Sequence, residues 1–141
     1  MSVPTFLIVF ESNRIAKRGV NEVDKIKVTS EISYTLKVIG GKWKPLILEY
    51  LKDNGTQRYM DILRYLENAQ KKTLTEQLRE LEDDGIIERN VIPTVPVQVE
   101  YTITKYGKSL FPLLDAMCDW GYEHFDNNRY ELSHPTCNED N

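Results

Sequence analysis

Between Leu74 and Ile103 the hydrophobic pattern changes from helical to alternating across one glycine, and few folds accommodate that change. Leu74, Leu78 and Leu81 recur at i, i+4 and i+7, which places them on one face of an α-helix. Thr73 and Glu76 have the spacing of a capping box at its start, and Gln70 is the other possible beginning. Gly85 is a natural stop, because glycine accepts the left-handed backbone that closes a helix. Beyond it, Ile86, Ile87, Val91 and Ile92 are β-branched, and Val97, Val99, Tyr101 and Ile103 alternate with the period of a strand. Pro93 and Pro96 belong between the strands, since proline cannot donate to a ladder. A helix, a glycine stop and a hairpin in this order predict the recognition helix and wing of a winged helix-turn-helix. The alternative is the same helix and hairpin with no role on nucleic acid.

The preceding segments supply the missing helices. Ile32, Leu36 and Ile39 have helical spacing, ended by Gly40-Gly41. Pro45 suits a first helical turn, and Leu46, Ile47, Tyr50 and Leu51 predict the buried face of a second helix closed at Asn54-Gly55. A third helix is expected from Tyr59 to Glu67, burying Met60, Leu63 and Leu66, with a turn at Asn68-Ala69 before the Leu74 helix. The fold class is therefore mainly α with a small β-hairpin (α+β). After the hairpin, Leu110, Leu113, Leu114, Met117, Trp120, Gly121 and Phe125 cluster on one side of a long helix. This stripe exceeds what a small wing domain needs for its own core. It is read as a homodimer interface shared with Ile32 and Leu36 of the first helix; packing within the chain is the alternative.

The chain divides into an N-terminal extension (1–29), a winged helix-turn-helix domain with its C-terminal dimerisation helix (30–127), and a polar tail (128–141). Val3 to Phe10 is a candidate strand. It lacks the flanking charges and cleavage site of a signal peptide, and no apolar run approaches the ~20 residues of a membrane helix. At 141 residues the chain can bury a core without metal or disulfide support. Cys118 and Cys137 make no disulfide framework, and a cytoplasmic, reducing location is expected. The formal net charge of −4 is unevenly spread. Residues 42–72 hold seven basic side chains against four acids, whereas residues 109–141 hold Arg129 against seven acids. A basic face on an acidic protein is workable for binding phosphates, which depends on local contacts; solvation of helix surfaces is the simpler reading of the same charges.

Four blocks carry a family resemblance: Glu31 to Leu48 with its Gly40-Gly-Lys-Trp43 core, Leu74 to Gly85, Val95 to Tyr101, and Trp120-Gly121. Over roughly residues 30 to 125 the chain resembles the HxlR-type winged-helix regulators. The resemblance implies a prokaryotic, homodimeric transcription factor on a palindromic operator, dimerising through its first and last helices. Two positions depart from the family pattern. Ser30 stands where many members carry a cysteine, and a hydroxyl cannot supply the thiolate used for sensing there. Gln98 stands where the wing commonly carries a cation, which implies a weaker wing grip on the backbone. Residues 1–29 have no counterpart in the resemblance, and Lys17-Arg18-Gly19 is compatible with a natural start near Val20 or Val23.

With the leucines inward, the Leu74 helix presents Lys72, Thr75, Glu76 and Arg79 outward. Arg79 or Lys72 is expected to read guanine edges or adjacent phosphates, and Thr75 a base edge or phosphate. Glu76 either accepts from a cytosine amine or caps the helix. Gln70, Lys71 and Gln98 complete the DNA-binding set, while Lys44 and Arg58, near helix starts, are expected to hold phosphates. The dimer set is Ile32, Leu36, Leu110, Leu114, Met117, Trp120 and Phe125. No enzymatic activity, cofactor or metal is expected. His124 and His134 have no nucleophile–base spacing around them. His134 and Cys137 are separated like a metal pair, but structural zinc wants four ligands. Cys118 reads as a small buried hydrophobe or a sensor. Double-stranded DNA and a second copy of the chain are the expected partners, with a small-molecule effector possible. The rival reading is a winged-helix module that binds protein.

Overall fold

The computed structural model describes residues 24–135 and Cys137; Val3 to Phe10 and most of the N-terminal extension lie outside them. Among the described residues, five helices surround a three-stranded antiparallel sheet. In order these are α1 (Glu31–Ile39), α2 (Lys44–Asn54), β1 (Gln57–Arg58), α3 (Tyr59–Tyr65), α4 (Lys71–Asp83), β2 (Ile87–Ile92), β3 (Gln98–Ile103) and α5 (Phe111–His124). A short 3₁₀ turn, Gly107–Leu110, leads into α5. The α3–α4 pair followed by the β2–β3 hairpin is a winged helix-turn-helix. Among the described residues no helix is long and apolar enough to cross a membrane.

Ser30 caps α1, its hydroxyl accepting from the Ser33 N–H at 3.3 Å. That is a role serine fills well. Pro45 sits in the first turn of α2, where its missing N–H costs nothing. Gly55, at φ 75°, closes α2. The core gathers Ile47, Leu48 and Leu51 of α2, Ile62 of α3, Leu74, Leu78 and Leu81 of α4, and Ile86 and Ile87 at the start of the wing. Full burial of each such side chain stabilises by about 1.5–3 kcal/mol, which is how an otherwise polar α4 is held. Two predicted faces are rotated by about one residue. Leu48 is buried and Leu46 partly exposed in α2, and Ile62 is buried while Met60 is exposed in α3. In both helices the core approaches from a direction that apolar spacing alone did not distinguish.

The end of α4 forms a full Schellman motif. Gly85 at φ 75° donates to the Glu82 carbonyl, and Ile86 donates to the Leu81 carbonyl, both at 2.9 Å. Thr104, just past β3, donates its hydroxyl to the Gly85 carbonyl at 2.6 Å and accepts from the Gly107 N–H at 2.9 Å. The helix stop, the wing and the lead-in to α5 are thereby locked together. Gly107 is packed so tightly that a Cβ would collide with the Ile86 carbonyl oxygen and lie 2.8 Å from Ile103 Cγ2.

Strand order is β1-β3-β2. The hairpin register pairs Ile87 with Ile103, Arg89 with Tyr101 and Val91 with Val99. The two-residue β1, absent from the sequence reading, adds Gln57 opposite Tyr101 and Arg58 opposite Glu100. It is too short to show a period of its own, and its pairing comes from the non-local approach of β3.

Candidate nucleic-acid interface

Helix α4 begins at Lys71 with Gln70 at the N-cap, and among the described residues no side chain caps its first N–H groups. Thr73 and Glu76 lie inside the helix, so the predicted capping box does not form and Glu76 is free of that role. No acid occupies the first turn. Lys71 and Lys72 are exposed there. Open N–H groups, the positive helix end and two cations are the chemistry that suits a phosphate. Thr75 and Arg79 follow on the exposed side of α4, opposite the buried leucines. The Thr75 hydroxyl lies 3.3 Å from the Tyr59 hydroxyl, which also donates to the Lys71 carbonyl at 3.3 Å. Tyr59 therefore fixes the start of α4 against α3 and orients Thr75.

A groove runs between this face of α4, the start of α3 and the wing. Arg58, Arg64, Arg79, Arg89, Gln98 and Tyr101 all line it. Arg64 is paired with Asp61 at 2.7 Å. Among the described residues no ion pair engages Arg58, Arg79 or Arg89. Arg89 was missed in the sequence reading. It lies on β2 directly across from Tyr101, and its guanidinium acts electrostatically on the Tyr101 hydroxyl. Burial raises the Tyr101 phenol above its ordinary value, and the Arg89 guanidinium offsets part of that rise. A cation on β2 thus lines the groove, as Gln98 does from β3. The hairpin register that sets Arg89 against Tyr101 has no signature in either strand alone.

Lys44 is not on this surface. It is 5% exposed and its Nζ lies 2.6 Å from Glu80 Oε2. Instead of holding a phosphate, Lys44 joins the start of α2 to the recognition helix. Gly41, at φ 99°, brings the α1–α2 turn against Gln77 of α4: a Cβ there would lie 3.4 Å from Gln77 Nε2. The Gly40-Gly-Lys-Trp43 segment consequently serves to seat α4.

Residues 38–129 match the HxlR-like helix-turn-helix family. The chain belongs to that family. It is 45% identical over 104 residues to the HTH-type transcriptional regulator YtcD of Bacillus subtilis, covering 74% of this chain and 82% of that protein. A regulator of the same type from Methanothermobacter thermautotrophicus is 48% identical over 90 residues, 64% of this chain and 68% of that one. The crystal structure of YtcD superposes with a TM-score of 0.65 at 47% identity, covering 68% of this chain and 97% of that one. The oxidised form of the redox regulator HypR also gives 0.65, at 40% identity over 69% of this chain and 99% of that one.

In this HxlR-like chain the apolar stripe of α5 divides between two faces. Leu114 is 7% exposed and joins the protomer's own core, and Leu110 packs against that core. Phe125 is half-buried beneath the C-terminal segment, 6.3 Å from the Tyr130 ring. These three predicted interface residues are therefore largely occupied within the chain. Met117 and Trp120, with Leu113, remain exposed on the other face, as do Ile32 and Leu36 of α1 at 73% and 60%. Lys52 of α2 holds Asp115 of α5 at 2.8 Å, and this hydrogen bond raises the lysine above its ordinary value.

The cysteine expectation is overturned. Cys118 of α5 and Cys137 are joined by a disulfide, so the chain's end is fastened to α5. His134 and Cys137 do not converge as a metal pair. His134 stacks on Tyr65 with ring centroids 4.7 Å apart, and its Nε2 lies 3.4 Å from Glu67 Oε1. With eighteen residues between them, the cysteines offered no local pattern that marks a bridge; the approach of the tail to α5 created it.

Proposed function

We propose that this protein is a sequence-specific DNA-binding transcriptional regulator that works in the cytoplasm as a homodimer on a palindromic operator. The observation that carries this reading is the uncapped, acid-free start of α4 opening into the arginine-lined groove. Lys71, Lys72 and the α4 N-terminus hold a phosphate, Thr75 and Arg79 enter the major groove, and Arg58 positions the helix. Arg89 gives the wing a backbone contact. Family membership and the names of the relatives support the same role. The exposed apolar faces of α1 and α5 supply the second copy's contact. The groove offers fork-shaped cations and a helix end, which bind nucleic acid and carry out no bond-making chemistry.

The test is retention of genomic fragments, the protein's own promoter included, by the purified full-length chain as salt is raised. A reader making about six phosphate contacts loses on the order of a thousandfold in affinity between about 50 and 200 mM salt. Absence of retention at low salt overturns the proposal in favour of a protein-binding winged helix.

A further inference from the structure

The disulfide lies at the junction of α2, α5 and the chain's end. The Cα atoms of Cys118 and Cys137 are 5.5 Å apart, within the roughly 4.4–6.8 Å that such a bond spans. It ties down residues 125–135 and Cys137 as a strap. Leu132 and Pro135 of the strap line a half-open cavity of about 540 Å³ with Pro45 and Leu46 of α2 and Leu114 and Gly121 of α5. A second tie is made by His134, which stacks on Tyr65 at the end of α3 and approaches Glu67. The strap thus connects α5 to the first helix of the helix-turn-helix.

Glu49 stands beside both sulfurs. Its Oε1 lies 3.8 Å from Cys118 Sγ and 3.9 Å from Cys137 Sγ. Joined sulfurs have no proton to give this carboxylate, whereas two thiols would each have one. A carboxylate oxygen thus lies within reach of either thiol in the reduced form. The pair is only half-buried, so a small thiol can reach it.

We infer that Cys118 and Cys137 form a reversible dithiol–disulfide site, served by a low-molecular-weight thiol–disulfide couple, and that its reduction releases the strap. The reading rests in part on the proposed cytoplasmic, DNA-binding role, because disulfides that form in a reducing compartment are mostly transient and regulatory. In the forward step an external thiolate attacks one protein sulfur. The S–S bond breaks, the other cysteine leaves as a thiolate and takes a proton from water. A second external thiol then attacks the mixed disulfide, freeing the remaining cysteine and departing as the external disulfide. Two electrons and two protons pass to the protein for each external disulfide formed. Release uncouples α5 from the Tyr65–Glu67 end of α3 and opens the cavity. Oxidation therefore sets how firmly the helix proposed for dimerisation is tied to the reading head.

The full-length protein is equilibrated in glutathione buffers from reducing to oxidising, trapped with an alkylating reagent and weighed intact. The expected result is a single step between two additions and none. On reduction, trypsin cleavage at Arg129 in the strap accelerates about tenfold, as for a segment freed from local protection, and slows again on re-oxidation. Cys137→Ser and Cys118→Ser are both cleaved at the fast rate in either buffer. Three results overturn the inference: both cysteines alkylated in oxidised glutathione, a bond in the native protein that excess dithiol leaves intact, or cleavage at Arg129 indifferent to reduction. These readouts need no DNA. A chain that passes them yet retains no DNA keeps the redox site and loses the regulatory role, and the reverse pattern does the opposite.

Discussion

The groove beside α4 and the outer side of α5 carry charge of opposite sign. The groove sets Arg58, Arg64, Arg79 and Arg89 among apolar side chains such as Met60, Val97 and Val99. The outer side of α5 exposes Leu113, Met117 and Trp120 on a segment that is strongly acidic. One face suits a polyanion and the other a second protein surface. An acidic chain can therefore carry a cationic reading surface, because phosphate attraction decays within about 10 Å and responds to local charge. Net charge describes the whole molecule and neither surface.

The most severe test of this division is Trp120→Glu. A charge on the apolar side of α5 should convert the proposed dimer to monomers by sedimentation and leave the protomer's melting unchanged. Operator affinity should fall by roughly a hundredfold or more, because two linked half-sites bind far more tightly than one. A dimer that survives this change moves the interface off α5.

On the other face, Arg79→Ala should leave the dimer intact and weaken operator binding by about 1–3 kcal/mol. Equal affinity at physiological salt removes Arg79 from the contact. Gln98→Arg should act in the opposite direction and less strongly. One added phosphate contact per subunit steepens the salt dependence by about 0.9 in log–log slope, read from fluorescence anisotropy. If the slope does not move, the wing does not reach the backbone at Gln98, and Arg89 is its contact.

The smallest effect concerns alkaline stability, and it is found on both sides of the molecule. Burial raises the Tyr101 phenol in the groove. Burial, with Glu49 next in size, likewise raises Tyr65 beneath the strap. Each phenol ionises more readily unfolded, near 10.0, than folded. Their contribution is thus fully present below that pH and is lost as pH rises towards the folded values. Lys52, raised chiefly by its hydrogen bond to Asp115, loses stabilisation in the same direction. Denaturant melts should show lower stability above pH about 10, and Tyr101→Phe and Tyr65→Phe should each flatten part of that decline. A decline unchanged in both variants assigns it to other groups.

The parts of the fold legible in sequence are those governed by local periodicity. The leucine face of α4, its glycine stop and the alternating strands each have a short-range signature, and all three are present. The candidate site was legible where side-chain direction follows from that helix: Lys72, Thr75 and Arg79 are exposed once Leu74, Leu78 and Leu81 are buried. It was illegible wherever the partner is distant in sequence. Lys44 has every local mark of an exposed lysine at a helix start, and only tertiary packing buries it and sets it against the exposed Glu80. Arg89 is one of many charges in the wing until β3 sets it against Tyr101.

The opening change of period, from leucines at helical spacing through Gly85 to an alternating hairpin, was determined by sequence alone. Backbone geometry gives helices and strands different repeats, and glycine admits the left-handed stop between them. Tertiary structure decided which surfaces those elements expose and to whom. It divided the α5 stripe into an inner and an outer face, retired Lys44 from the binding surface and supplied Arg89 to the wing. It also brought Cys137 to Cys118. Each of these outcomes depends on where a remote segment packs, and no local spacing encodes that distance.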